Sequence, residues 1–328
     1  MPEPVRILSF DEVVDGLLRC KEPYHEKYLA MYSSYYGGIV TDPALMAVPV
    51  DDHLVHRGDG IFEAFLATNW NIYLLNRHLD RLERSARGAM LQIPVDRQRM
   101  VEIIRATGRA ANVPDIIFRL YVSRGPGGFS ANPYECPKAQ VYVVAVRHDP
   151  PPKEKYERGV LLKTSSISMK NDVFATIKTC NYLPNVLMNK EALDAGVDFT
   201  VSMDERGCLG EGPTENFGIV TKAGAFVVPR FDRILRGTTV LRTMDLARTL
   251  VQKGELSGVE ERDILPEEAR DAAEIMMFGT SFHIFPVVEY DGRPIGSGKP
   301  GPMFRRLLDL MEEDARSCRE MLTPVREE

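Results

Sequence analysis

The chain of 328 residues carries 41 Lys and Arg against 47 Asp and Glu, a net charge of −6. That balance excludes a general attraction to nucleic acid or to an anionic membrane, so an anionic ligand has to be held by locally placed arginine, lysine and backbone N–H groups. With 44% hydrophobic and 27% charged residues, the sequence reads as a soluble globular protein with room for two domains.

Cys20, Cys136, Cys180, Cys208 and Cys318 are scattered, odd in number and contain no CxxC pair. They predict reduced thiols in the cytoplasm rather than a disulfide framework. No apolar run approaches the length of a membrane span, and residues 1–14 show no signal-peptide core.

In chain order, residues 9–20 begin with a capping box, Ser9 and Glu12. Val13, Val14, Leu17 and Leu18 then share one helical face. Residues 22–34 predict a second helix, and residues 1–54 together are expected to be a helical N-terminal extension. An R-G-D-G turn at 57–60 leads into a strand at 61–68, a turn at 69–71 and a return strand at 72–75. Asn76 is expected to cap a helix with the stripe Leu79, Leu82, Ala86, Ala89 and Met90. Arg77, Arg81 and Arg84 lie on or near another face of it, where solvation is the ordinary state of an arginine.

A helix at 96–110, a strand at 116–124, a Gly/Pro loop at 125–137 and a strand at 140–147 follow. The run DPPPKEK at 149–155 reads as a linker, because three prolines continue neither a helix nor a central strand. This gives a small α/β domain at 55–150 and a large domain at 151–328. In the large domain strands alternate with helices, YDGR at 290–293 signals a hairpin turn, and a last helix starts near Pro302.

Lys178 ends an apolar/polar run just before a helix signal, and Glu211 follows in a Gly-rich turn between two strand-like runs. A lysine able to form a Schiff base and a carboxylate able to face a pyridine nitrogen are the groups pyridoxal phosphate needs most. Gly237, Thr238 and Thr239 stand directly before a helix. This is a helix-start anion site or, as the commoner case, a plain threonine cap. His25, His53, His56, His78, His148 and His283 show no metal-ligand spacing, and the chain has neither a nucleophile elbow nor a P-loop.

Lys178, Asn181, Tyr182 and Leu183, followed by Glu211, Gly212 and Asn216, resemble the active-site stretch of the class IV, or branched-chain and D-amino acid, aminotransferases. The resemblance runs from about residue 55 to about residue 316. It implies a two-domain α/β fold-type IV homodimer, with a smaller α+β N-terminal domain and pyridoxal 5′-phosphate held between the domains. It also implies a division of labour. Lys178 carries the Schiff base and shuttles the proton, Glu211 faces the ring nitrogen, and Tyr182 bonds the phenolic oxygen. Asn216 belongs to the same cofactor-binding turn. Arg81, in H-x-D-R-L, grips the phosphate together with Thr238 and Thr239. In FGTSFHIFPV, Gly279 and Thr280 complete the phosphate cup and Ser281 lies near the substrate, while His283 and Phe285 depart from the family's run.

Substrate residues follow less directly. The R-x-H carboxylate trap of the bacterial D-amino acid enzymes is replaced by Phe129 and Ala131. Phe62 stands where those enzymes have tyrosine and where branched-chain enzymes have phenylalanine. HRGDG, GPGGFSANPYECP and VPRFDRILRGTT nevertheless resemble the plant-type D-amino acid aminotransferase branch. Arg57 and Arg119 are the candidates for the substrate carboxylate, and each serves equally well as a structural ion-pair partner. Ala64, where aminodeoxychorismate lyases need threonine, favours transamination. The expected reaction is ping-pong transfer from an amino acid, D-alanine favoured, to a 2-oxo acid. A branched-chain L-amino acid aminotransferase, a 4-amino-4-deoxychorismate lyase and a non-catalytic binding protein on the same fold stand as alternatives.

Overall fold

The computed structural model describes residues 4–20, 22–168 and 173–326. The strands of the first half are β1 (Tyr28–Ser33), β2 (Gly38–Val40), β3 (Gly60–Thr68), β4 (Asn71–Tyr73), β5 (Ile116–Ser123) and β6 (Gln140–Arg147). Those of the second half are β7 (Val160–Thr164), β8 (Phe199–Val201), β9 (Asn216–Val220), β10 (Ala225–Val228), β11 (Gly258–Glu261), β12 (Glu274–Gly279), β13 (His283–Tyr290), β14 (Arg293–Pro294) and β15 (Leu322–Pro324). They form one sheet in the order β15-β4-β3-β5-β6-β1-β2 and another in the order β11-β10-β9-β12-β13-β7-β8, with β14 paired to β13.

Strand periodicity sorts the apolar residues onto faces. In the first sheet Phe65, Phe118, Leu120, Val122 and Val143 are buried in one core with Leu79 and Leu82 of the helix Leu75–Gly88 and Ile103 and Ile104 of the helix Arg97–Ala111. The second sheet is covered on both faces, and its central strands β9 and β12 are buried at every residue. Phe226, Val228, Met276 and Phe278 face the helices Thr238–Gln252 and Pro302–Ser317, whereas Phe217, Ile219, Val227 and Met277 fill the opposite core.

Three local expectations are corrected. Residues 22–34 form a short 3₁₀ turn, Pro23–Lys27, and then β1, not a helix. The free edge of β6 offers Met31 a partner at Val144 and Tyr32 one at Val143, and this pairing overrides local helix preference. The helix Phe10–Arg19 with its capping box lies outside both sheets and packs against the 3₁₀ turn Pro43–Leu45. Asn76 is not a cap, since the helix begins at Leu75 with Leu74 in the left-handed region at φ 58°. Met90 is exposed at the end of its stripe rather than buried with it. The hairpin expected at 290–293 is present, with Tyr290 paired to Arg293 and positive φ at Asp291 and Gly292.

The chain end makes an unforeseen return, with Leu322 pairing with Tyr73 so that β15 borders the first sheet. We propose the proline-rich linker as the domain boundary, with strands on either side of the main run, β1, β2 and β15, added to the smaller domain.

A buried polar cluster locks this return. Tyr73 donates its hydroxyl to Asp314 at 2.5 Å, and Arg242 donates through Nε to the same carboxylate at 2.9 Å. Asp314→Ala leaves Arg242 and Tyr73 without their acceptor and should cost roughly 3 kcal/mol, read from urea denaturation midpoints; a loss below about 0.5 kcal/mol would show that the cluster is incidental.

Candidate active site

β4 is short and pairs with β3 only at Ala67 and Thr68, so the Gly60–Phe62 end of β3 keeps a free edge. Residues 178–180 occupy it. Phe62 N donates to the Lys178 carbonyl at 3.0 Å, Cys180 N donates to the Gly60 carbonyl at 2.9 Å, and Ile61 pairs with Thr179. Lys178 N donates to Ser85 Oγ at 3.2 Å, and the Ile177 side chain sits in the first-sheet core. Asn181 Nδ2 donates to the Gly58 carbonyl at 3.0 Å, across a turn that needs glycine: Gly58 has φ 64°, and a Cβ there would stand 2.6 Å from Asn181 Oδ1.

With its backbone pinned, Lys178 extends its amine into a cavity and is only 9% exposed. Nζ lies 4.6 Å from the centre of the Phe62 ring and 5.9 Å from that of Tyr182. Burial, reinforced by the Arg81 charge and opposed by Glu63 and Glu211, lowers its pKa to about 8. A usable fraction of the amine is therefore neutral near pH 7.

One end of the cavity is an anion cradle. Thr238 and Thr239 are buried in the first turn of the helix Thr238–Gln252, whose N-cap Gly237 supplies no side-chain acceptor. The amides of that turn have no intrahelical partner. Gly237 is required sterically, because a Cβ would fall 1.7 Å from Asn216 Oδ1. Arg81 is buried beside the turn, with Nε on Glu63 Oε1 and Nη2 on Glu63 Oε2, both at 2.7 Å, and Nη1 on the Arg236 carbonyl at 3.3 Å.

Burial pushes the Glu63 pKa up, but the Arg81 charge and the hydrogen bonds from Arg81 and His78 outweigh it and hold it at about 2. Glu63 is therefore a carboxylate and can only accept, so His78 Nδ1–H donates to it at 2.8 Å. Burial lowers the His78 pKa despite Glu63 and leaves the ring neutral, so Nε2 accepts from Thr238 Oγ1 at 3.2 Å. The Thr238 hydroxyl proton is thus committed, and Thr238 can serve an anion only through its backbone N–H. Sequence reasoning did not single out Glu63 or His78. The available signal was a lone acid inside the apolar strand GIFEAFLAT.

The opposite wall carries Glu211, paired with Asn216 in an isolated bridge. Its Oε2 accepts from Asn216 Nδ2 at 3.3 Å and from Leu235 N at 3.2 Å, which fixes the carboxylate. Tyr182 ends the lysine segment, meets the Phe62 ring edge-on at 5.1 Å and lines the cavity. Burial, with the Glu211 charge, raises its pKa and keeps the phenol protonated. Thr280 and Ser281 close a further side, and Arg119 reaches in from β5 opposite Ala64. Arg119 forms no hydrogen bond or ion pair with another described residue.

Arg57 is not brought to the cavity. Its guanidinium donates to the carbonyls of Ser130, at 3.3 Å, Phe129 and His56, and so pins the Gly/Pro loop. The two departures serve packing. Phe285 stacks on Phe282 at 4.2 Å, and His283, at φ 59°, meets the Tyr73 ring edge-on.

The cavity, of about 190 Å³, suits a flat aromatic aldehyde with a basic ring nitrogen and a phosphate. A titratable amine, a fixed carboxylate, a phenol and an anion cradle surround one space, and the Lys178 pKa near 8 suits an amine that bonds a carbonyl carbon. Among the described residues no group of His, Cys, Asp and Glu could hold a metal.

The sequence pattern of the family described as amino-transferase class IV matches residues 60–290. The chain is 41% identical over 314 residues to the chloroplastic D-amino-acid transaminase of Arabidopsis thaliana, covering 95% of this chain and 83% of that protein. It is 31% identical over 281 residues to a putative branched-chain-amino-acid aminotransferase of Methanocaldococcus jannaschii, covering 85% and 95%. Among solved structures, the T.th. branched-chain amino acid aminotransferase with pyridoxamine 5′-phosphate superposes with a TM-score of 0.84 at 26% identity, over 92% of this chain and 99% of that one.

The ionised Glu63 links this site to acid stability. Its folded pKa lies below its ordinary value of 4.5, so the stability it lends is complete above that pH and is lost as pH falls toward 2. Glu63→Gln should lower the denaturation midpoint at neutral pH and flatten its fall below about pH 5. An unchanged acid slope would remove Glu63 as the charge that holds Arg81.

Proposed function

The chain belongs to the class IV aminotransferases, and on that premise we propose that it uses pyridoxal phosphate to move an amino group from a D-amino acid, D-alanine favoured, to a 2-oxo acid. The observation that carries this reading is Lys178, buried with a depressed pKa between the Glu211 carboxylate and the Arg81–Thr238 cradle. The donor class is supported by the name of the relative at 41% identity, a D-amino-acid transaminase.

When bound, the cofactor supplies an electron sink for the charge left on the substrate Cα as it loses its proton. The protein's share is positioning and proton transfer. Arg81, the Thr238 amide, Thr239 and Thr280 would hold the phosphate, and Tyr182 would donate to the phenolic oxygen. Glu211, steadied by Asn216, would keep the ring nitrogen protonated. Lys178 Nζ, neutral in part near pH 7, takes the Cα proton and returns it on the far side of the transfer. Arg119 is the cation available for the substrate carboxylate, with Ser281 beside it, while Phe62 walls the side-chain space. Arg57 is left with its structural task.

A branched-chain L-amino acid substrate is the second reading, favoured by Phe62 and by the branched-chain enzymes among relatives and solved structures. Ala64 beside Arg119 gives the lyase reading no hydroxyl to work with. A homodimer is supported by the apolar residues Leu183 and Val186, 68% and 57% exposed and next in sequence to the cavity-lining Tyr182 and Asn185. The five cysteines are free, and no helix among the described residues is long and apolar enough to cross a membrane. A reducing compartment, the cytoplasm, is the proposed location.

Lys178→Ala should lower turnover by about 10⁴-fold or more and abolish covalent retention of the cofactor; near-normal turnover would sink the assignment. The donor is read from the visible absorbance of the loaded protein, with no oxo acid present. D-alanine should bleach the band and L-leucine should not. The reverse result would move the chain to branched-chain chemistry.

A further inference from the structure

Two arginines outside the cavity have no task in this scheme. Arg84 lies one turn beyond Arg81 on the helix Leu75–Gly88, and Arg236 directly precedes the N-cap Gly237. The hydrogen bond from Arg81 Nη1 to the Arg236 carbonyl, at 3.3 Å, ties the two places together at the back of the cradle. Both side chains are exposed, and neither forms an ion pair with a described residue.

An exposed arginine ordinarily needs no explanation, but here the neighbouring acids are already committed. Asp80, on the same helix as Arg84, receives Arg97 at 2.7 Å. Asp232, four residues before Arg236, receives Arg230 at 2.7 Å. Glu63 is occupied by Arg81 and His78. The Arg236 guanidinium rests 5.2 Å over the Phe231 ring, which positions it without neutralising it. Partial burial and the charges of Arg236 and Arg81 lower the Arg84 pKa, as expected where cations crowd one another. A guanidinium keeps its proton, so the crowding is relieved only by an anion.

We infer that Arg84 and Arg236 form an outer capture pair that draws a phosphate monoester toward the buried Arg81–Thr238 cradle. In a chain of net charge −6 an approaching anion is repelled on average, and this pair sets two unpaired positive charges next to the elements that carry Arg81 and Thr238. The inference rests on the proposed function, since the monoester is the cofactor's. It concerns the rate of uptake rather than the chemistry that follows.

The test follows uptake of pyridoxal 5′-phosphate by the cofactor-free full chain in a stopped-flow spectrometer. Salt is varied from about 10 mM to about 0.1 M, over which the screening length falls from about 30 to about 10 Å. The Arg84→Gln/Arg236→Gln pair should take up the cofactor about tenfold more slowly at low salt and lose most of the salt dependence. Arg84→Lys/Arg236→Lys, which keeps both charges, should retain the wild-type rate, and uptake of pyridoxal, which lacks the phosphate, should be the same in every variant. Uptake of the phosphate at one rate in wild type and in the glutamine pair, or equal slowing of pyridoxal, overturns the capture pair alone. A wild-type chain that takes up no pyridoxal phosphate overturns the proposed function and the capture pair with it.

Discussion

An amine taken out of water beside a guanidinium is the constraint on which this site depends. Lys178 Nζ is held over the Phe62 ring with Arg81 close enough to repel its charge, and the fold tolerates this because the amine can give up its proton where the guanidinium cannot. Side-chain freedom would let the lysine escape to solvent. The backbone prevents it: residues 178–180 complete the edge of β3, and strand alternation then leaves the amine no direction but inward. A short β4 is what leaves that edge open, so the length of one hairpin arm decides whether the lysine is presented at all.

The guanidinium needs a counter-charge for the same reason. Glu63 provides it from β3, and through His78 and Thr238 it also reaches the start of a helix packed on the second sheet. One buried carboxylate therefore fixes the Arg81 fork, the His78 tautomer and the Thr238 hydroxyl together. Removing any one of these partners leaves another buried polar group unsatisfied, which is why the cradle is stiff before any ligand reaches it.

Much of this was legible in the residue order. Lys178, Glu211, Asn216 and the Gly237–Thr239 turn were legible through the resemblance of their motifs to the class IV family, since spacing alone leaves a structural lysine and a plain threonine cap open, and the structure gathers them around one cavity. Arg81 was legible as a helix residue near a strand, and its burial follows from its place on the inner face. Other features depend on what distant segments do. β1 exists because β6 has an edge to fill, and nothing within residues 22–34 reveals that edge. Arg57 and Arg119 were indistinguishable as letters, and side-chain direction separates them, one turned to loop carbonyls and the other into the cavity. The pairing of Glu63 with His78 and Arg81 was not legible, because a buried ion network is defined by its partners rather than by its own sequence neighbourhood.

The return of the chain end to β4 has a mechanical consequence. Had the proline-rich linker been the sole covalent passage between the two sheets, either half could swivel about it. The chain instead passes between them at the linker, again where residues 178–180 lie along β3 before the helix Leu183–Ala195, and once more on the way to β15. Several tethers in different places convert a swivel into a frame. The distance between the two walls of the cavity is then set by the fold rather than by the angle at a single linker.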